Sequence, residues 1–407
     1  MTVAVYSPLY LPISQTFVYR QLQGVAERFR ALVVTHRLAN AERFPYAPVE
    51  LCPRTLFDRV YGRMARNGFG RFDVMSRAQT GRLVRALGKH DVGLIHAHFG
   101  PAGLQMLPVA QRLGVPLLVT FHGYDASALL TSEHYCAGLK KLFAYASPVA
   151  VSQAVAERLC AAGADRLRLK VLYIGIPVDE FRYVERVAIA EKKRRGETIR
   201  FLQVARLVEK KGTEYTLKAF RELRCTHRNC TLTIAGEGPL LKKMRALAKE
   251  LGIDDAVVFA GKVTTAEVVQ LMGEADVCLQ HSVTASNGDR EGLPTVLMEA
   301  MASGLPVIST RHSGIPELID DGVSGYLVDE RDVTGYAVKL RAILRCGMEM
   351  GRRGRAVVES RFNLATQNGK LADYYHEAGQ AASRRTDMNG SAAVLPENSY
   401  GRVWRAI

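Results

Sequence analysis

The chain has 407 residues, more than one ordinary hydrophobic core holds and enough for two large domains. Hydrophobic residues make up 48% and charged residues 23%, so most of the chain should pack, and no apolar run approaches the roughly 20 residues of a membrane-spanning helix. A net charge of +15 implies an anionic partner or surface, and the lack of zinc-finger spacing or an aromatic RNA-binding signature turns the reading away from nucleic acid.

The first residues, Met-Thr-Val-Ala-Val-Tyr-Ser-Pro, read as an opening strand rather than an export leader. β-Branched runs then alternate with amphipathic segments: strands are expected at 3–6, 31–35, 94–97, 116–121 and 148–151, with helices at 15–26, 101–113 and 151–162. Between Leu56 and Lys89 eight basic residues oppose only Asp58 and Asp73, a net +6, and apolar residues such as Leu56, Phe57, Val60, Tyr61 and Met64 lie among them. That mixture suits an anionic lipid surface, and equally a solvated helical face. Residues 179–198 are charged and aperiodic, which reads as a linker or surface excursion.

A second series follows, with strands expected at 199–204, 231–235, 256–259, 277–280, 306–309 and 326–328 and helices at 213–223, 240–251, 265–272, 294–302 and 334–344. Strict βα alternation predicts parallel sheets covered on both faces, hence two doubly wound α/β domains. The expected division is 1–178, 179–362, a C-terminal helix at 363–382 that can pack back on the first domain, and a mobile tail at 383–407 holding the only tryptophan, Trp404. Seven scattered cysteines without a Cys-x-x-Cys pair fit a reducing cytoplasm, and neither they nor any Asp-x-Asp offers a metal site.

Doubly wound folds bind ligands beyond the C-terminal ends of their strands. The loop after the first strand lacks Gly-x-Gly-x-x-Gly, which disfavours a nicotinamide dehydrogenase. After the strand ending at 204 come Arg206, Lys211 and Gly212, suited to a diphosphate, although a solvated basic pair reads the same way. Gly236-Glu237-Gly238-Pro239 forms a tight turn that lets a ligand approach the backbone. Then Gly288-Asp-Arg-Glu291-Gly292-Leu293-Pro294 leads into a helix carrying Glu299. Helical spacing parts the two carboxylates by about 12 Å, enough to span the two sugars of a nucleotide sugar. The amides from Gly292 onward offer donors to phosphate. Glu299 lies on a mostly apolar helix, where an unpartnered carboxylate costs several kcal/mol.

These motifs, above all Glu291-x7-Glu299 with Gly-Leu-Pro and Glu-Ala-Met-Ala-x-Gly, resemble the donor domain of glycosyltransferase family 4, whose GT-B fold sets two Rossmann-like domains across a cleft. The resemblance extends to about Ala378, and the runs Ser282–Pro294 and Thr310–Glu317 are similar to enzymes of bacterial exopolysaccharide assembly, including the colanic-acid type. It implies a retaining, metal-independent hexosyltransferase in which Arg206 and Lys211 bind the donor diphosphate, Glu291 contacts the transferred sugar and Glu299 holds the ribose hydroxyls. His122, in Thr120-Phe-His-Gly-Tyr-Asp125, would lie near that sugar; His96 and His98 are read as core histidines.

Many relatives carry a Gly-Gly loop after the first strand where this chain has Pro12-Ile-Ser14-Gln15-Thr16-Phe17. Ser14, Gln15, Thr16 and Asp125 are therefore acceptor candidates. The expected partners are a UDP- or GDP-sugar donor, a lipid-linked saccharide acceptor and the anionic inner face of a membrane, with no cofactor. A nucleotide-sugar epimerase on the same fold and a non-catalytic scaffold are the rival readings.

Overall fold

The computed structural model describes residues 1–12, 15–69 and 75–391, with side chains except at 66–69 and 381–391. Two parallel sheets form the frame. In the N-terminal domain β1 (Thr2–Tyr6), β2 (Arg30–Thr35), β3 (Val49–Leu51), β4 (Val92–His98), β5 (Leu117–Phe121), β6 (Ser147–Ala150) and β7 (Lys170–Val171) lie in the order β3-β2-β1-β4-β5-β6-β7. They are joined by α1 (Thr16–Ala26), α2 (Leu56–Phe69), α3 (Arg77–Gly88), α4 (Gly100–Leu113), α5 (Glu133–Tyr145) and α6 (Gln153–Ala161). Serines 76, 132 and 152 cap α3, α5 and α6 by accepting from an amide in the first turn.

After α7 (Ile189–Arg194) the second sheet comprises β8 (Ile199–Val204), β9 (Cys230–Ala235), β10 (Val257–Gly261), β11 (Val277–Gln280), β12 (Val307–Thr310) and β13 (Tyr326–Val328), ordered β10-β9-β8-β11-β12-β13. Its helices are α8 (Thr213–Arg224), α9 (Leu241–Glu250), α10 (Thr265–Glu274), α11 (Thr295–Ala302), α12 (Val333–Ile343) and α13 (Glu349–Arg361). The long α14 (Leu364–Ser391) then returns to the first domain, where Leu371, Ala372 and Tyr375 are buried with Val3, Leu22 and Phe29. Strand order reverses between β1 and β4 and between β8 and β11, so each sheet has one crevice at its C-terminal edge.

The two expected doubly wound domains are present, with two differences of extent. Residues 179–198 are not a free linker. Arg186 donates to the carbonyls of Ala275, Met272 and Ser303, Lys192 pairs with Asp276 at 2.6 Å, and Ile189 of α7 is buried in the second core. Charged side chains fasten this segment, which is why hydrophobic periodicity did not reveal it. The second difference is α14, which continues through Ser391 where a tail was expected from 383. The rest of that tail, with Trp404, lies outside the described residues. Among the described residues no helix is long and apolar enough to cross a membrane.

Candidate active site

On the N-terminal side the site is built at the end of β5. Asp125, buried, accepts from the amides of Gly100, His122 and Gly123 at 2.9–3.0 Å and so fixes the loop that carries His122. This corrects the expectation that Asp125 meets the acceptor, because its oxygens are turned inward onto backbone. His122 is packed against Phe17 and Phe99, with ring centroids 4.7 and 4.5 Å away, and its Nε2 lies 3.2 Å from Nδ1 of His98. Burial pushes both imidazoles below the ordinary histidine range, His98 to about 3, so both are neutral. Among the described residues His122 Nδ1 has no hydrogen-bond partner, which leaves it able to meet a ligand hydroxyl.

His96 behaves as a core histidine, bonded to Tyr375 of α14 at 2.6 Å and to Thr120 at 2.8 Å. His98 is buried too, and its Nδ1 also meets His122. Its position two residues after His96 on β4 puts both rings on one face of the strand. Phe17 brings the start of α1, with Gln15 and Thr16, beside His122, and among the described residues Gln15 Oε1 is buried without a partner. Ser14 lies outside the described residues.

On the facing side, Lys211 Nζ lies 2.8 Å from Glu291 Oε1 and Lys210 Nζ lies 3.1 Å from Asp289. Burial disfavours charge on Glu291, but Lys211 and then Lys210 outweigh it and hold the carboxyl below its ordinary range. The Lys211 carbonyl accepts from Gln203 of β8 at 3.1 Å and from Gln280 of β11 at 3.3 Å. Gly212 follows at φ +58°, where a Cβ would stand 1.6 Å from the His281 carbonyl oxygen. Arg206, on the same loop, is exposed and has no ion-pair partner among the described residues. Gly236 and Gly238 brace this loop, for a Cβ on either would strike the carbonyl of Ala205 or Leu207; Leu207 N–H donates to the Glu237 carbonyl.

Glu299 is half-buried on α11, where burial raises its carboxyl to about 7 against the pull of Arg20 from α1. Pro294 is the residue before α11, and Leu293 is buried beneath it. Gly292 faces the other domain, its Cβ position 1.9 Å from the His122 carbonyl oxygen. The structure thus joins Lys211, Glu291, Gly292 and His122 in one cluster, with Arg206 and Glu299 on elements that flank it. Its chemistry is that of an anion site with neutral hydrogen-bonding groups opposite. Among the described residues no three His, Cys, Asp or Glu side chains converge as a metal site.

Comparison with known proteins bears on this geometry. The family described as Glycosyltransferase Family 4 matches residues 14–180, and the one described as Glycosyl transferases group 1 matches 185–357. The protein named "Putative colanic acid biosynthesis glycosyltransferase WcaL" of Salmonella typhimurium is 35% identical over 284 residues, 68% of each chain. The chain belongs to glycosyltransferase family 4. This transferase is also 33% identical to the amylovoran biosynthesis glycosyltransferase AmsK of Erwinia amylovora over 287 residues, 70% of this chain and 69% of that one. Its fold is that of HepE from Anabaena, solved with UDP-glucose, at a TM-score of 0.73 and 20% identity over 93% of this chain and all of that one.

Proposed function

We propose that this glycosyltransferase moves a sugar from a UDP- or GDP-sugar to a lipid-linked saccharide during exopolysaccharide assembly, with retention of configuration and without a metal. The observation that carries the reading is the Lys211–Glu291 ion pair seated against the His122–Gly123 loop. An entering diphosphate competes for Lys211, joins Arg206 and releases the Glu291 carboxylate to the hydroxyls of the sugar. The C1–O bond to the diphosphate breaks as the acceptor oxygen bonds C1 from the same face, and the acceptor proton passes to the leaving phosphate oxygen. Arg206 and Lys211 stabilise the negative charge left there.

Burial holds His122 well below the ordinary histidine range, which makes it a weak base, so its part is to orient the sugar through hydrogen bonds. The UDP-glucose bound by HepE supports a nucleotide-sugar donor, and the names of WcaL and AmsK support a place in exopolysaccharide synthesis. Attachment to an anionic membrane face is supported by α2, where Leu56, Phe57 and Met64 are exposed beside Arg59 and Arg63.

The test is protection against thermal unfolding by UDP-, GDP- and ADP-sugars, with Glu299→Ala alongside. Donor at a hundred times its dissociation constant stabilises by about 2.7 kcal/mol. We expect one nucleotide class to protect and the substitution to weaken that protection. No protection by any donor would overturn the reading.

A further inference from the structure

Glu291 is held at both ends of its own residue. Its N–H donates to His312 Nε2 at 3.0 Å, and its carbonyl accepts from Ser313 Oγ at 2.6 Å. His312 is 1% exposed, and its other nitrogen, Nδ1, lies 2.6 Å from Glu330 Oε1. These contacts settle the tautomer. A peptide amide only donates, so Nε2 must be the bare acceptor and the imidazole proton sits on Nδ1, donated to Glu330. The carboxylate is oriented in turn by Thr284, whose N–H donates to Oε2 at 2.7 Å and whose hydroxyl donates to Oε1 at 3.2 Å.

The chain Thr284–Glu330–His312–Glu291 runs wholly within the C-terminal domain. Two further contacts of this loop cross the cleft, where Arg290 N–H donates to Ser127 Oγ and Gly292 rests on the His122 carbonyl, while the Lys211 and Lys210 ion pairs and the Gly314 N–H bond to the Gly292 carbonyl stay within the C-terminal domain. When the domains part, the two cross-cleft contacts go and the His312 and Ser313 bonds remain. They hold the Glu291 peptide itself in place before a donor arrives, and preorganisation of that kind raises affinity by removing an ordering cost.

We propose that His312 and Glu330 are positioning residues that fix Glu291 against the transferred sugar, so that they govern the sugar's share of donor affinity and not the nucleotide's. This rests on the reading that Glu291 contacts the sugar. Neither residue touches substrate; each acts through the Glu291 peptide.

The stereochemistry of amide replacements separates this role from simple support of the fold. Glutamine places its amide oxygen where imidazole Nε2 sits and can still accept from Glu291 N–H. Asparagine places its amide where Nδ1 sits and keeps only the bond to Glu330. In Glu330→Gln the amide oxygen cannot serve both Thr284 N–H and His312. With Thr284 satisfied, its NH2 group faces Nδ1, shifts the proton to Nε2 and sets that proton against the Glu291 N–H.

The experiment is calorimetric binding of UDP and UDP-glucose, and of GDP and GDP-mannose, to the full chain and to His312→Gln, His312→Asn and Glu330→Gln. For the pair that binds wild type, we expect the affinity ratio of nucleotide sugar to nucleotide to fall about tenfold in His312→Asn and Glu330→Gln, the scale of one hydrogen bond. It should stay within about threefold of wild type in His312→Gln, and nucleotide affinity should hold throughout. Equal loss of nucleotide and nucleotide-sugar affinity, or equal loss in His312→Gln and His312→Asn, would overturn the proposal. If neither pair binds wild type, the donor reading is what fails. Exchange of the Glu291 amide then reads the hold directly: protection kept in His312→Gln and lost in His312→Asn supports it, and equal protection in both overturns it.

Discussion

Glu299 sits where burial makes its charge costly, and its carboxyl is raised from the ordinary 4.5 to about 7. A group whose folded value lies above its unfolded one binds extra protons in the folded state, so it lowers stability as pH rises between those values. Replacing Glu299 with glutamine should therefore change the melting temperature little near pH 4.5 and raise it at pH 8, where the ionised side chain costs most. Donor affinity runs the other way. If the carboxylate accepts from the ribose hydroxyls, wild-type affinity should fall as pH drops through about 7, and Glu299→Gln should be weak and flat across that range. Melting curves at both pH values and donor titrations from pH 6 to 8 check the two halves. The motif exposed this residue to sequence reasoning because a glutamate on an apolar helix stands out. His312, Glu330, Gln203 and Gln280 gave no comparable signal. They come from four separate segments, and their meaning lies in convergence on two peptide groups, of Lys211 and Glu291. Asp125 misled for the opposite reason, since an acid after a strand looks the same whether its oxygens face the cleft or cap the loop.

At the scale of elements, α2 is the surface helix whose chemistry is least ordinary. Its acid, Asp58, is buried and paired with Arg82 of α3, and it also accepts from Ser76 and Thr55. With that acid turned inward, Leu56 at 74% and Met64 at 67% exposure share the outer surface with Phe57, Arg59 and Arg63. A face of that composition favours an anionic leaflet, where each apolar side chain removed from water contributes about 1.5–3 kcal/mol. The protein should sediment with anionic vesicles at low salt and release as salt rises, and Phe57→Ser with Met64→Ser should lower partitioning at least tenfold. Failure to bind at low salt would remove the membrane from the proposal. Most βα units were legible from period and length: strands 199–204, 277–280 and 326–328 fall at the expected residues. The short strands β3 and β7 were not, because two or three residues cannot display a period. Helices α5 and α13 were missed as well. The second carries six charged residues among its thirteen and few buried positions to mark a stripe.

At the scale of the molecule, the two domains meet across the cleft through side chains and backbone alike. Glu317 accepts from Gln153 N–H at 2.8 Å and Ala154 N–H at 3.0 Å, capping α6 from the opposite domain, while Arg158 of α6 reaches Ser313 at 3.0 Å. Gly123 and Gly292 meet between these points. A Cβ on Gly292 would lie 1.9 Å from the His122 carbonyl oxygen and 2.7 Å from a Val151 methyl, and the nearest atoms it meets all belong to the N-terminal domain. Gly292→Ala therefore leaves its own domain room to fold and denies the cleft its closed form. Closure excludes water and completes the site, so turnover should fall at least a hundredfold, on the scale of misplacing catalytic groups by about an ångström. The melting temperature should stay near wild type, nucleotide affinity should change little because Arg206 and Lys211 are untouched, and small-angle scattering should show a larger radius of gyration. Normal turnover with an unchanged radius would mean that the tight seat of Gly292 on the His122 loop has no part in the working cycle.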